Sequence, residues 1–116
     1  MKKDQSFHDC VVYDLLGDIP GITSRAMFGG WGIYKNGTIF AIIFDGALYF
    51  KDDDTNRADF ERLGSHPFVY KQGNRKPTAM SYWLVPEGIL EDRERLPEWV
   101  ERSVNVSLNS KAKRPR

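Results

Sequence analysis

The stretch from Arg25 to Gly32 carries the side chains with the most chemical potential in this sequence. It sets one cation, one methionine and two aromatic rings around three glycines. An arginine binds a carboxylate through two parallel hydrogen bonds, and aromatic side chains are enriched in protein interfaces. We therefore interpret the stretch, with the tyrosine that follows it, as a candidate interaction surface whose members are Arg25, Met27, Phe28, Gly29, Gly30, Trp31, Gly32 and Tyr34.

The glycines favour a corner of a sheet over a phosphate-binding loop. A phosphate-binding loop lies between a strand and a helix, so that the helix N-terminus faces the anion. Here the residues after Gly30 predict a strand, and the bare Cα atoms of such a corner allow another backbone or a ring to pack closely. For Arg25 we favour a structural ion pair within the chain over a contact with a partner.

Two basic segments are candidates for weak nucleic-acid contacts. Their cations are Lys71, Arg75 and Lys76 in a predicted loop, and Lys111, Lys113 and Arg114 near the C-terminus. Basic side chains beside aromatic ones are typical of surfaces that bind single-stranded nucleic acid. Solubility also favours basic loops and ends, and we prefer that explanation for both segments.

No catalytic, cofactor-binding or metal site is predicted. Cys10 falls on the apolar stripe of a predicted helix, where a thiol acts as a small hydrophobe. The acidic residues 52–54 lack the glycine and the terminal glutamate of a calcium loop, so we interpret them as capping the start of a helix. His66 has no second ligand at metal spacing, which indicates a surface or turn residue.

The elements that position these residues predict an α+β fold. Helices are expected to pack on an antiparallel sheet as a two-layer sandwich, in the order α-β3/4-α-β2-α. Helices are predicted over 5–16, from about 52 to 63, and from Leu96 onward. Strands are predicted over 22–28, 31–35, 38–44, 47–51, 67–70 and 79–85. One core is expected, centred on 38–50.

Two features of the predicted strands bear on packing. Asn36-Gly37 and Asp45-Gly46 favour type I′ turns, because these residues take positive φ readily. The strand 38–44 is apolar on both faces, as in a central strand that helices or another subunit cover. A homodimer is therefore compatible with the sequence.

Composition limits the class of protein. The chain of 116 residues is 41% hydrophobic and 28% charged, as in an ordinary soluble domain. We predict one domain over 1–108, followed by a basic disordered tail over 109–116. No apolar run approaches the roughly 20 residues needed to cross a bilayer, and no signal peptide is recognised. Together with the single cysteine, this predicts a cytoplasmic protein without a membrane partner.

A resemblance to a known family covers nearly the whole chain, roughly 7–108. The run RAMFGGWGIY at 25–34 resembles the signature of the N-terminal domain of the TfoX/Sxy family. Further similar motifs follow in the family's order at 37–41, 48–51, 67–70, 80–83, 85–86 and 96–99. The resemblance implies a bacterial, cytoplasmic protein with a small, secretion-chaperone-like fold.

The resemblance also sets the expectation for function. The namesake proteins are regulators of natural competence that work with the cyclic-AMP receptor protein, and they carry a helical C-terminal domain that this sequence lacks. No catalytic residue is implied. We expect a non-enzymatic protein-interaction module linked to transcription, with protein partners and no cofactor. The alternatives are a small-molecule-binding protein or an undetected enzyme, and a direct DNA binder that uses the two basic segments.

Overall fold

The computed structural model describes residues 5–27, 29–70 and 78–113. Within these ranges the helices are α1 (Gln5–Asp9), a π-helical segment (Cys10–Leu15), α2 (Arg57–Arg62), α3 (Glu87–Leu90) and α4 (Leu96–Lys113). The strands are β1 (Ile22–Met27), β2 (Gly30–Lys35), β3 (Thr38–Phe44), β4 (Ala47–Lys51), β5 (Pro67–Tyr70) and β6 (Thr78–Leu84). They form one antiparallel sheet in the order β1-β2-β3-β4-β6-β5. The predicted α+β class is confirmed.

Short turns fix the order of the first four strands. Asn36 and Gly37 have φ angles of 50° and 82°, and Asp45 and Gly46 have φ angles of 53° and 73°. Positive φ at both central residues is the mark of a type I′ turn, so both predicted turns are confirmed. Such short connections leave neighbouring strands no arrangement except antiparallel pairing.

The core lies between the helices and one face of the sheet. Its fully buried strand residues include Phe40, Ile43, Leu48 and Phe50, which agrees with the core predicted at 38–50. The register of β2 and β3 shifts, because Ile33 pairs with Ala41 while the next residue pairs with Ile39. The extra residue, Phe40, is thereby turned into the core beside Ala41, and both have no exposed surface.

The first helical segment differs from the prediction over 5–16. The bond from the Leu16 amide to the Val11 carbonyl, 2.9 Å long, spans five residues and widens the turn. The buried residues of this segment are His8, Val11, Val12 and Leu16. The placement of Cys10 on the apolar stripe was wrong, since its side chain is exposed.

The last helix packs on β3 and β4 through apolar and small polar side chains. Trp99, Val100 and Val104 are buried, whereas Leu108 is 46% exposed. Two serines of α4 are buried against the strands. The Ser103 hydroxyl donates to the Lys51 carbonyl at 2.9 Å, and the Ser107 hydroxyl donates to the Ile39 carbonyl at 2.5 Å. These bonds satisfy strand carbonyls beneath the helix.

The helix α4 also continues past 108, the predicted domain boundary, as far as Lys113. No glycine or proline interrupts residues 98–113, and lysine and alanine favour helix, so nothing in the sequence stops the helix there. Within the described ranges, no helix is both long and apolar enough to span a membrane.

The acidic residues 52–54 stabilise the entry to α2, which begins at Arg57 and not near 52. The Asp53 carboxylate accepts bonds from the Thr55 amide at 2.8 Å and from its hydroxyl at 2.5 Å. Asp52 is buried and accepts a bond from Arg57 Nε at 2.8 Å. Burial raises the pKa of Asp52, and the bond with Arg57 opposes that shift. Among the described residues, no three acidic, histidine or cysteine side chains form a group that could hold a metal ion.

We predict that Asp59→Asn destabilises the protein only above acid pH. The Asp59 carboxylate pairs with Arg102 of α4 and, at 2.7 Å, with Arg62. The bond from Arg102 is the largest cause that lowers the pKa of Asp59 from 3.8, so its stabilisation is present above that value and is lost as the pH falls. The substitution should lower the free energy of unfolding by about 1 kcal/mol at neutral pH.

Urea unfolding at several pH values measures this loss. Asp54→Asn is the matched control, because the Asp54 side chain is 96% exposed and also pairs with an arginine. Its effect should stay below about 0.5 kcal/mol. A loss for Asp59→Asn that remains unchanged at about pH 2 would contradict the ion-pair explanation.

We also predict that Gly30→Ala costs about 1–3 kcal/mol of stability, because added atoms in a packed region force the backbone to shift. A Cβ built on Gly30 would overlap the carbonyl oxygen of Ile43 on the neighbouring strand. Gly88→Ala is the control, since its Cβ would meet no atom within 4 Å and it lies in α3. Equal thermal unfolding midpoints for the two variants would show that the strands separate easily at Gly30.

Candidate interaction site

Arg25 and Trp31, the two residues expected to meet a partner, lie on opposite faces of the sheet. In a strand, successive side chains point to opposite faces. Trp31 and Ile33 belong to the buried cluster under the helices. Arg25 lies opposite Gly32 and Thr23 lies opposite Tyr34, so these four residues occupy the other face, which we call the open face.

A cavity of about 300 Å³ lies at the β1 edge of the sheet. It is lined by Thr23, Ser24, Arg25, Tyr34 and Gly37. Arginine, threonine and tyrosine all donate hydrogen bonds from their side chains, and arginine is always charged. The lining is therefore suited to a small anionic group such as a carboxylate.

Arg25 is exposed. We expected a structural ion pair at this position, but no carboxylate of the described residues lies within ion-pair distance of its guanidinium. The nearest sequence neighbours on β1 are threonine, serine, alanine and methionine, which carry no charge. Within the described ranges, the guanidinium thus remains available for an anion from outside the chain.

The glycines of the stretch have structural roles. Gly29 has a φ of 77° at the turn between β1 and β2, a conformation that glycine adopts without strain. Gly30 admits the backbone of β3, as described above. A Cβ on Gly32 would lie 3.0 Å from the Met27 sulfur and 3.3 Å from the Tyr34 ring, so glycine lets these side chains pack over the strand. The predicted close packing of backbone and ring against bare Cα atoms is confirmed.

Trp31 does not take part in an exposed surface. It is 7% exposed, and its ring lies 4.6 Å from the imidazole of His8, measured between centroids. Its burial differs from the expectation that Trp31 faces a partner, because alternation along β2 turns it toward the helices. Of the described members of the predicted surface, Arg25, Met27 and Tyr34 have exposed or half-buried side chains on the open face. Phe28 lies outside the described residues.

The rest of the open face is apolar and only partly buried. Its half-buried members on β3 and β4 include Ile39, Ile42, Phe44 and Tyr49. Phe68 of β5 packs on this side, with its ring centroid 5.4 Å from Phe44 and 4.9 Å from Tyr49. Burial is the main cause that raises the pKa of Tyr49. The open face therefore combines partly dehydrated rings with the cation at its edge.

A hydrogen-bond network that the sequence did not suggest ties α1 to β1. His8 Nε2 lies 2.8 Å from the Ser24 hydroxyl, and His8 Nδ1 lies 2.8 Å from Asp9 Oδ1. The bond with His8, followed by one from Gln5, lowers the pKa of Asp9. His8 itself is 4% exposed. The network joins residues 16 positions apart, which periodicity alone does not reveal.

Ser24, His8 and Asp9 contact one another in the order of a Ser-His-Asp catalytic triad, but the aspartate is exposed. A triad buries its aspartate and presents its serine on a special turn to the substrate. Here Asp9 is the outward member, with a side chain 49% exposed, and Ser24 lies within a regular strand. We therefore interpret the network as a structural link between α1 and the sheet.

The remaining predicted residues are the six basic ones and His66. Lys71, Arg75, Lys76 and Arg114 lie outside the described residues, and Lys111 and Lys113 belong to the last turn of α4. His66 is exposed and sits before β5, in agreement with its interpretation as a surface residue. The nucleic-acid role of these cations stays a prediction.

Comparison with known proteins gives one positive result. The family model described as the TfoX N-terminal domain matches residues 14–107. No curated protein matches the chain. The matched range includes β1 to β6 and most of α4, and therefore the cavity beside Arg25.

We predict that Ser24→Ala lowers the free energy of unfolding by about 1–3 kcal/mol, because it leaves His8 Nε2 without its partner in a buried site. Ser24→Thr is the matched variant, since threonine keeps the hydroxyl and favours strands. Urea unfolding should place Ser24→Thr close to the unmodified chain. Equal stability of all three proteins would show that the bond to His8 contributes nothing.

Proposed function

Because this chain belongs to the TfoX N-terminal domain family, we propose that it is a non-enzymatic protein-interaction module in transcriptional regulation of the competence type. One observation carries the proposal. The guanidinium of Arg25 is exposed beside Tyr34 and a cavity, and it pairs with no carboxylate of the described residues. Desolvated arginines and tyrosines are enriched among the residues that dominate binding energy in protein interfaces.

The open face supports the same proposal. Half-buried rings and aliphatic side chains extend from Tyr34 across β3 and β4, next to the cation of Arg25. Interfaces commonly combine an apolar centre with a charged or polar rim. In this chain the apolar centre would be the open face, and Arg25 would lie at its rim.

The arrangement of His8, Ser24 and Asp9 supports the non-enzymatic part of this proposal. Ser24 lines the cavity from within a regular strand, and the Asp9 side chain is 49% exposed, whereas a catalytic triad buries its aspartate. A fluorophosphonate probe, which labels activated serines, should therefore leave Ser24 unmodified. Labelling at Ser24 that Ser24→Ala abolishes would instead support the enzyme alternative.

The cavity favours a second candidate function, binding of a small carboxylate or phosphate compound. Its volume of about 300 Å³ is at the lower end for ligand pockets.

Direct DNA binding through the basic segments remains a further alternative. Its affinity should weaken steeply with salt, and an affinity independent of salt would count against it.

We predict that Arg25→Ala and Tyr34→Ala reduce the capture of a transcription regulator, such as the cyclic-AMP receptor protein, from a bacterial extract. Quantitative mass spectrometry of the co-purified proteins measures the loss. Arg25→Ala should change the free energy of unfolding by less than about 0.5 kcal/mol, because it is a surface substitution. Trp31→Ala should instead cost about 3–5 kcal/mol, as expected for a buried aromatic ring.

Arg95→Ala is the matched control for capture. Arg95 is also exposed, and its side chain forms no ion pair with a described residue. It precedes α4 in the helical layer, away from the open face. Capture that is unaffected by Arg25→Ala, or equally reduced by Arg95→Ala, would contradict the assignment of the surface.

A further inference from the structure

The strand β1 has a free edge. It is the last strand in the order β1-β2-β3-β4-β6-β5, so no described strand pairs with its outer side. Backbone groups along such an edge offer hydrogen bonds to another strand. Natural proteins usually protect long edges with prolines, lysines or bulges. The six residues of β1 contain no proline and no lysine, and their pairing with β2 runs without a register shift.

The opposite edge of the sheet is less receptive. The strand β5 is four residues long and begins with Pro67, which has no amide hydrogen to donate. Its pairing with β6 shifts in register between Pro67 and Val69. These are the features that prevent pairing along an edge. Addition of a strand is therefore favoured at β1.

The register identifies the backbone groups that face outward. The Asn36 amide donates to the Gly21 carbonyl at 2.9 Å, which makes these two residues a bonded pair at the start of the hairpin. In antiparallel strands, bonded pairs alternate with unbonded ones. Thr23 and Arg25 consequently bond to β2, while Ser24 and Ala26 direct their amide and carbonyl groups to the free edge.

The side chains beside this edge fit an acidic residue. Thr23 and Arg25 are exposed on the open face and line the cavity with Tyr34. A strand added to β1 would place every second side chain on the same face, next to these residues. An aspartate or glutamate there would meet the Arg25 guanidinium, and the threonine and tyrosine hydroxyls could donate to the same carboxylate.

A second copy of this chain fits the edge less well. Antiparallel pairing of two β1 strands that keeps the open faces together would bond Ser24 to Ser24 or to Ala26 of the other copy. When Ser24 bonds to Ala26, Arg25 would lie directly opposite the other Arg25. When Ser24 bonds to Ser24, the two Arg25 side chains would lie one position apart on the same face. Like charges in these positions destabilise a sheet, and no carboxylate of the described residues lies within ion-pair distance of Arg25 to compensate them.

We propose that β1 binds an extended acidic segment of a partner protein as an added strand, with a carboxylate of that segment held in the cavity by Arg25. This inference rests on the proposed function, since it specifies how an interaction module would recognise its partner. Main-chain hydrogen bonds supply affinity in this mode of recognition, and the side-chain pocket supplies selectivity.

The test uses the ¹⁵N-labelled full chain and a capped seven-residue peptide of alternating valine and threonine with a central glutamate. At about 1 mM peptide, amide chemical shifts should change along 22–27, and the Ser24 and Ala26 amides should exchange more slowly with solvent. A peptide with glutamine at the centre should bind about tenfold more weakly. Arg25→Gln should remove this difference between the two peptides.

A modified peptide tests the strand pairing without altering the protein. Methylation of the backbone nitrogens that would face Ser24 and Ala26 removes the donors, so binding should be lost. Ala26→Pro removes the outward amide of β1 and should have the same effect. If Ala26→Pro fails to fold, the methylated peptide still decides the question.

The following outcomes would overturn the inference. They are unchanged β1 amides at the highest peptide concentration, equal binding of the glutamate and glutamine peptides, equal binding of the methylated peptide, and shifts along β1 that depend on protein concentration alone, which would indicate self-association. The same shifts caused by free glutarate would indicate a small-molecule site instead. Capture of a partner that requires Arg25, without any of these edge effects, would leave the proposed function intact and reject only the added strand.

Discussion

The burial of one face of the sheet by helices is the constraint on which the rest of the structure depends. Side chains alternate between the faces of a strand, so a neighbour in sequence can have the opposite environment. Along β2, Trp31 enters the core and Gly32 lies on the open face. The same alternation on β1 turns Ser24 toward His8 and Arg25 away from it. In this stretch the residues that face the helices therefore have structural roles, while Arg25 on the open face is exposed to solvent.

Close packing at two points maintains this division. Gly30 allows β3 to approach β2, and the bulge at Phe40 adds a large ring to the core without disturbing the strands beyond it. On the helical side, Ser103 and Ser107 satisfy carbonyl groups of β4 and β3. Small side chains at these contacts let α4 and the strands come together, while the open face receives no such cover from the described residues.

Local signals in the sequence predicted much of the fold, and long-range contacts account for what they missed. Asn36-Gly37 and Asp45-Gly46 determine their turns through their own φ angles, so both were predictable. Cys10 was misplaced because the segment Cys10–Leu15 is π-helical, so the α-helical spacing assumed for it does not hold. For the candidate site, Arg25 was identified by its residue type. Two other features depend on tertiary structure: Arg25 has no ion pair with a described carboxylate, and His8 and Ser24 share a hydrogen bond.

The link between His8 and Ser24 also bears on how β1 could bind a partner. A strand that must be ordered on binding loses conformational entropy, which weakens the complex. The strand β1 is held from two sides, by six pairs with β2 and by the hydroxyl of Ser24 beneath α1. The outward amides of β1 are thus already ordered in the absence of the proposed partner, and Arg25 lies on a rigid backbone. A site that is preorganised in this way can select one acidic segment with few side chains, because little binding energy is lost to ordering the site itself.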